Sequence, residues 1–79
     1  MNVTVRIGSH YADGHSSVRQ VTLEAPTSDG LEAWWEDVVY PETGDGHGER
    51  FPKLGHCYDA EVIAGDPLLV GLTREWVGS

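Results

Sequence analysis

The sequence predicts a single α+β domain over residues 1–79: a four-stranded antiparallel sheet in β-β-α-β-β order, with one amphipathic helix packed on one face. Three observations predict this class. Four segments alternate apolar and polar residues with a period of two, which is typical of half-buried strands. One segment between the second and third strands has apolar residues at helical spacing. The 79 residues, 39% of them hydrophobic, suffice for one small core and no second domain.

The first two strands are predicted at 2–7 and about 17–24, where valine, isoleucine and leucine alternate with polar residues. Gly8 is expected to end the first strand. A long polar connection then contains Asp13 and Gly14, a common turn pair. The two strands are therefore expected to form a hairpin with an extended connection.

The helix has the clearest local pattern in the chain. Asp29 is the expected N-cap, and Glu32 stands three residues later at the spacing of a capping box. Pro41 is expected to end the helix near Val39 or Tyr40. Because neighbouring residues cannot share the centre of one stripe, one of two adjacent tryptophans is expected to be half exposed. The apolar stripe consists of Leu31, Trp34, Trp35, Val38 and Val39.

After the helix, residues 41–55 form a glycine-rich loop with no periodicity, which we interpret as either functional or loosely held. The third strand is predicted at about 56–64 and the fourth at about 68–77. The first half of the fourth strand is apolar on both faces, which predicts a central strand or one covered by a partner. Leu69 and Val77, on the open second face of the sheet, suggest a homodimer or higher oligomer.

The charge is strongly one-sided, with 5 Lys and Arg residues against 13 Asp and Glu residues and a net charge of -8. Between residues 24 and 49 there are eight acids and no Lys or Arg. The simplest interpretation is a solvated helix face that aids solubility. The functional alternative is a surface that docks a protein with a basic patch, or that imitates nucleic-acid phosphates. The residues predicted to contact that partner are Glu32, Trp35, Glu36, Asp37 and Glu42.

Several classes of protein are not expected from this composition. The acidity argues against direct binding to nucleic acid or to an anionic membrane. No apolar run is long enough to cross a bilayer, and the N-terminus does not resemble a signal peptide, which predicts a cytoplasmic location. Cys57 is a single cysteine, so an internal disulfide framework is excluded.

A second function is suggested by the glycine-rich loop, in which histidine and two bases accompany the glycines. An oligomer could use this 44–53 segment as a sponge for a small nucleotide-like ligand. The phosphate-binding signal is weak, because acids lie inside the loop and no helix follows it. The residues predicted to contact the ligand are Asp45, His47, Arg50 and Lys53.

A third alternative is a metal-dependent hydrolase. The tripeptide Asp-Gly-His occurs twice, at 13–15 and 45–47, and imidazole and carboxylate groups bind transition metals. The spacing matches neither a zinc site nor a calcium loop. No complete catalytic motif is present, so we expect no catalytic residue, no bound metal and no cofactor. This alternative would use His15, Asp45, His47 and His56.

Two stretches carry a resemblance. The first runs from Trp34-Trp35-Glu36-Asp37-Val38-Val39-Tyr40-Pro41 into Thr43-Gly44-Asp45-Gly46-His47-Gly48, and the second is Leu69-Val70-Gly71-Leu72-Thr73-Arg74-Glu75-Trp76. Together they resemble small uncharacterised proteins encoded by actinobacteria and their phages. The resemblance covers about a third of the chain. It implies a cytoplasmic accessory protein of phage or prophage origin that binds a host or phage protein, and it implies no catalytic residue.

Overall fold

The computed structural model describes residues 1–44 and 54–78. Four strands, β1 (Asn2–Tyr11), β2 (Ser16–Glu24), β3 (His56–Ala64) and β4 (Thr73–Gly78), form one antiparallel sheet. The spatial order is β2-β1-β3-β4, so β1 and β3 are central and β2 and β4 are edges. One helix over residues 31–42 connects β2 to the second half of the chain. The predicted α+β class with four antiparallel strands is confirmed.

The β1–β2 hairpin is tighter than expected. Gly8 does not end β1, because it pairs with Val18 of β2 on one side and with Asp59 of β3 on the other. The strand continues to Tyr11, whose N–H donates to the carbonyl of His15 at 2.8 Å. A glycine inside a strand weakens its propensity, but here two flanking ladders of hydrogen bonds outweigh that cost.

The helix begins later and turns more widely than the sequence indicates. Its N-cap is Gly30 with no side-chain cap, and Asp29 instead accepts a hydrogen bond from the Thr27 hydroxyl at 3.2 Å. The predicted capping box is therefore wrong. The helix is α-helical over Leu31–Trp34, π-helical over Trp35–Val39 and 3₁₀-helical over Tyr40–Glu42.

The π-helical segment changes which residues of the helix are buried. Its wider turn rotates each residue less than an α-helix does. Val39 is completely buried, whereas Val38 is 36% exposed. Trp34 and Trp35 are both buried, at 5% and 3% exposure, so the expectation that one of them is half exposed is wrong.

The buried core contains residues of the two central strands together with residues of the helix. The two tryptophan rings pack edge to face with centroids 5.0 Å apart. Trp34 Nε1 donates to the backbone carbonyl of Glu24 at 2.7 Å, which ties the helix to the end of β2. The buried cluster contains Val3, Val5, Ile7, Trp34, Trp35, Val39, Ala60 and Val62.

The predicted fourth strand at 68–77 is corrected in two respects. It begins at Thr73, because the N–H groups of Leu69 and Val70 both donate to the carbonyl of Asp66 and close a turn there. It is also an edge strand and not a central one. Leu69 packs partly against the core and does not lie on the open face.

The open face of the sheet is largely polar. The strand register brings Arg6 beside Glu61 and His10 close to Asp59, and both pairs are in contact, at 2.6 and 2.9 Å. Val77 is an exposed apolar residue on this face. Within residues 1–44 and 54–78, no helix has the length and apolar character needed to span a membrane.

Candidate functional site

The charged residues that connect the helix to β4 form the best-defined polar cluster. Arg74 of β4 donates from Nη1 to Glu32 Oε2 at 2.8 Å and from Nη2 to Glu36 Oε1 at 3.0 Å. Trp76 Nε1 lies 3.3 Å from each oxygen of the Glu36 carboxylate. Hydrogen bonding to Glu32 raises the pKa of the Arg74 guanidinium, and Glu36 and the charges of both carboxylates add to this effect.

We call Glu32, Glu36, Asp37, Arg74 and Trp76 the helix–β4 surface. Glu32 and Glu36 lie one helical turn apart, which lets one guanidinium bridge them. Their side chains remain 77% and 49% exposed, so both carboxylates are still accessible to solvent. Asp37 is exposed and has no ion pair with any described residue. The surface thus has three carboxylates and one guanidinium, which leaves a surplus of negative charge.

Glu42 belongs to a separate ion pair. Arg19 of β2 donates to the Glu42 carboxylate at 2.9 Å and also to its backbone carbonyl. This contact joins β2 to the end of the helix. Glu42 therefore has a structural role that its position in the acidic stretch of the sequence does not reveal.

All three arginines among the described residues form ion pairs with carboxylates. Arg6 pairs with Glu61, Arg19 with Glu42, and Arg74 with Glu32 and Glu36. Within the same residues, several carboxylates have no ion-pair partner. They are Glu24, Asp29, Asp37, Asp66 and Glu75.

Trp35 does not lie where the sequence suggested. It is buried against the core, and its ring packs on that of Trp76 with centroids 6.3 Å apart. It cannot form part of an exposed contact surface. Trp76 is the half-buried tryptophan beside the acidic residues, and the alternation of β4 places it on the same face as Arg74.

A second cluster, of aromatic side chains, lies at the end of the sheet where β1 and β4 finish and β3 begins. The His56 and Tyr58 rings are stacked with centroids 4.5 Å apart and 18° between their planes. Tyr58 also packs on Tyr11 at 6.2 Å and on Tyr40 at 6.4 Å. The sequence shows no pattern that predicts this aromatic cluster, because the cluster arises from pairing between strands. The pairing of Tyr11 with His56 places their rings on the same face of the sheet.

Both described ends of the 41–55 loop lie at this end of the sheet. The Gly44 N–H donates to Ser9 Oγ at 3.1 Å, and the Gly55 carbonyl accepts from the Ala12 N–H at 2.8 Å. The first Asp-Gly-His turn is also here, with the His15 ring 5.6 Å from that of Tyr11. The predicted ligand contacts Asp45, His47, Arg50 and Lys53 lie outside the described residues.

The structure brings His15 and His56 to the same end of the sheet, as a hydrolase site would require. In the part of the chain that is described, no three His, Cys, Asp or Glu side chains are grouped so as to hold a metal ion. Cys57 lies on the opposite face of β3 from His56, so the two cannot act as a nucleophile and base. Burial raises the pKa of the Cys57 thiol, and the nearby Glu75 and Asp59 charges raise it further.

The helix–β4 surface is therefore the candidate site that the described residues define most completely. It combines accessible carboxylates, one bridging guanidinium and a half-buried indole. Comparisons of this chain with protein-family models, with curated proteins and with solved structures find no match.

Proposed function

We propose that this chain is a small, non-enzymatic binding protein of the cytoplasm, derived from a phage. It docks a host or phage protein through the helix–β4 surface. The proposal takes the helix to be packed on the inner face of the sheet, which the shared core of Val5, Val62 and Trp35 supports. The observation that carries it is that each described arginine is already bound to a carboxylate, while Asp37 and Glu75 have no ion pair with any residue in 1–44 or 54–78.

This charge distribution favours a partner with a positively charged surface. A ligand that approaches the helix–β4 surface meets accessible carboxylates and no available guanidinium among the described residues. A phosphate backbone would be repelled, whereas a protein surface rich in lysine and arginine would be attracted. Opposite charges raise the rate of association and fix the orientation of the two proteins. Trp76 adds an indole of the type enriched at interface centres.

The test uses a double substitution that removes two negative charges from the surface and keeps one of the two contacts that Arg74 makes with the helix. Glu32→Gln with Asp37→Asn removes two negative charges and leaves Glu36 bound to Arg74. The immobilised wild-type protein captures partners from a host lysate, and each captured protein is then purified and titrated. We expect affinity that falls with added salt and that drops at least fivefold in the double variant.

The matched control is Glu24→Gln with Asp29→Asn, which removes the same charge from carboxylates that make no ion pair with the described residues. Glu24 ends β2 and Asp29 precedes the helix, so neither belongs to the helix–β4 surface. We expect this control to keep most of the affinity. Equal losses in both double variants, or no loss in either, would contradict the proposal.

One observation favours a second candidate, the binding of a nucleotide-like ligand between subunits of an oligomer. The aromatic cluster lies beside Gly44 and Gly55, which belong to the two described ends of the 41–55 loop, and aromatic rings stack well on bases. Binding would raise the melting temperature with ligand concentration. We expect a shift with at least one member of a nucleotide panel and its loss in His47→Ala with Arg50→Ala. Unchanged melting across the panel would remove this candidate.

A further inference from the structure

The outer edge of β4 is unpaired in the described part of the chain. This strand, Thr73–Gly78, pairs with β3 on one side, and its other edge has no backbone hydrogen bond to any described residue. Successive residues of a strand direct their N–H and C=O groups to alternate sides, so about half of its residues present both groups outward. Such a row of unpaired groups is a template for another extended segment.

Carboxylates border this edge on both faces of the sheet. On the helix side, Glu32 and Glu36 surround Arg74 with more negative charge than it neutralises. On the open face, Glu75 is the register partner of Asp59. Two like charges directly opposite each other are unfavourable, and Glu75 has no cationic partner among the described residues. A cation placed beside Glu75 would relieve this repulsion.

The open face next to β4 also has room for a side chain. A shallow depression of about 450 Å³ lies between β3 and β4, and Asp59, Glu61 and Glu75 contribute its carboxylates. Arg6 and Arg74 also line it, but Arg6 is held by Glu61 of the same depression and Arg74 by the helix carboxylates. Among the carboxylates that line the depression, Glu75 is the one with no ion pair to a described residue. The depression can therefore accept the cationic end of a lysine or arginine. Val77, 76% exposed beside it, offers an apolar contact for the stem of such a side chain.

The alternative edge and the alternative occupant fit less well. The other edge strand, β2, is longer, but its arginine, Arg19, already forms an ion pair with Glu42. The register between β2 and β1 places no two like charges opposite each other. A second copy of this chain paired edge to edge at β4 would bring two Glu75 carboxylates together in a protein of net charge -8. The same acids that disfavour a second copy favour a cationic segment.

We infer that an extended segment of the partner, rich in lysine or arginine, adds to β4 as a fifth strand of the sheet. Its backbone pairs with the outer edge of β4, and its side chains, which alternate between the two faces, meet Glu75 on one face and the helix carboxylates on the other. This inference rests on the proposed function, for which it names the partner's chemistry and the mode of binding.

The test uses three forms of one synthetic peptide, an alternating lysine–valine heptamer with blocked ends. One form is unmodified, one is N-methylated at every second residue and one is N-methylated at every residue. All three carry the same charge. A peptide that is methylated at every second residue keeps the N–H groups along one of its edges and can pair with β4 through that edge. Its lysines can then lie on either face of the sheet, because both faces of β4 have carboxylates. The fully methylated peptide has no N–H groups to donate to a neighbouring strand.

We expect the unmodified and half-methylated peptides to bind and the fully methylated peptide to bind at least tenfold more weakly, because several hydrogen bonds are lost together. Amide chemical shifts are expected to change most at residues 73–78 and little at 16–24. Glu75→Gln should weaken the unmodified peptide severalfold, while Glu24→Gln, an exposed acid on the other edge strand, should not.

Three results would overturn the inference. Equal binding of all three peptides would exclude strand addition and leave the electrostatic proposal intact. Absence of peptide binding would exclude this partner chemistry at β4, while capture of a folded basic protein, tested separately, would still support the proposed function. Shift changes at β4 caused by protein concentration alone would show that a second copy occupies the edge.

Discussion

Arg74 and Glu36 are 38 residues apart in sequence, and their side chains meet across the helix–β4 boundary, with Nη2 3.0 Å from Oε1. The contact joins an edge strand to the middle of the helix. It also means that Glu36 serves the fold through Arg74 and Trp76, whereas Asp37, its neighbour, makes no such contact among the described residues. A charge change at Glu36 is therefore expected to alter stability, as well as the proposed binding, whereas one at Asp37 is expected to leave stability unchanged.

Replacing Arg74 by glutamine should lower the melting temperature by a small amount. The substitution removes both charged hydrogen bonds and leaves Glu32 and Glu36 to repel each other one helical turn apart. Because the groups are open to solvent, the effect should shrink at high salt. Thermal unfolding at low salt and in 1 M NaCl measures both quantities.

The matched control for this prediction is Arg6→Gln, which removes another exposed ion pair, with Glu61, on the open face of the sheet. Arg6 bonds one carboxylate where Arg74 bridges two, so the salt-dependent loss should be smaller in the control. A larger loss in Arg6→Gln would show that the Arg74 bridge does not hold the helix against β4.

Trp34→Phe should be more destabilising than Trp35→Phe. Both substitutions shorten a buried ring by a similar volume, but only Trp34 donates from Nε1 to a backbone carbonyl, that of Glu24. The lost hydrogen bond should make the difference about 1 kcal/mol in the free energy of unfolding. Urea denaturation of both variants measures it, and equal losses would mean that the Trp34–Glu24 bond contributes nothing to stability.

The π-helical turn predicts unequal losses of stability for substitutions at two adjacent valines. Val39 is fully buried, so Val39→Ala should cost about 2 kcal/mol through lost burial and the cavity left behind. Val38 is 36% exposed, so Val38→Ala should cost less than about 0.5 kcal/mol. Equilibrium unfolding of both variants provides the comparison. A regular α-helical stripe, as the sequence suggests, would make the two losses similar.

The particular residues show why some features could be predicted and others could not. Val3, Val5 and Ile7 alternate with polar residues within one short segment. This local pattern is enough to predict that the three side chains are buried on the same face of the strand. The π-helical turn at Trp35–Val39 has no comparable pattern, because the apolar spacing of this segment also fits a regular α-helix. The predicted start of the fourth strand failed because the apolar alternation after Asp66 conceals a turn that Gly71 completes with a positive φ of 97°.

The candidate site depends even more on long-range structure. The acidity of residues 24–49 is visible in the sequence, but its compensation is not, because Arg19 and Arg74 lie on strands that only the folded sheet brings to the helix. For the same reason the sequence pattern indicates Trp35 as the accessible indole, whereas in the structure Trp35 is buried and Trp76 is half-buried. A residue's exposure depends on the register of its element, and a wider helical turn changed that register.

Cys57 should react slowly with iodoacetamide, since burial and the charges of Glu75 and Asp59 raise the pKa of its thiol and so reduce the thiolate present at a given pH. The rate should rise with pH along a curve displaced above that of free cysteine. Because the unfolded thiol ionises at lower pH, the stability that this group contributes is complete below the ordinary thiol pKa and is lost as the pH rises through the folded one. Glu75→Gln should speed alkylation at pH 8, and so should added salt, while Glu24→Gln, remote on β2, should not. An alkylation rate that is independent of both Glu75 and salt would show that burial alone protects the thiol, and that the carboxylates along β4 exert no field on their neighbours.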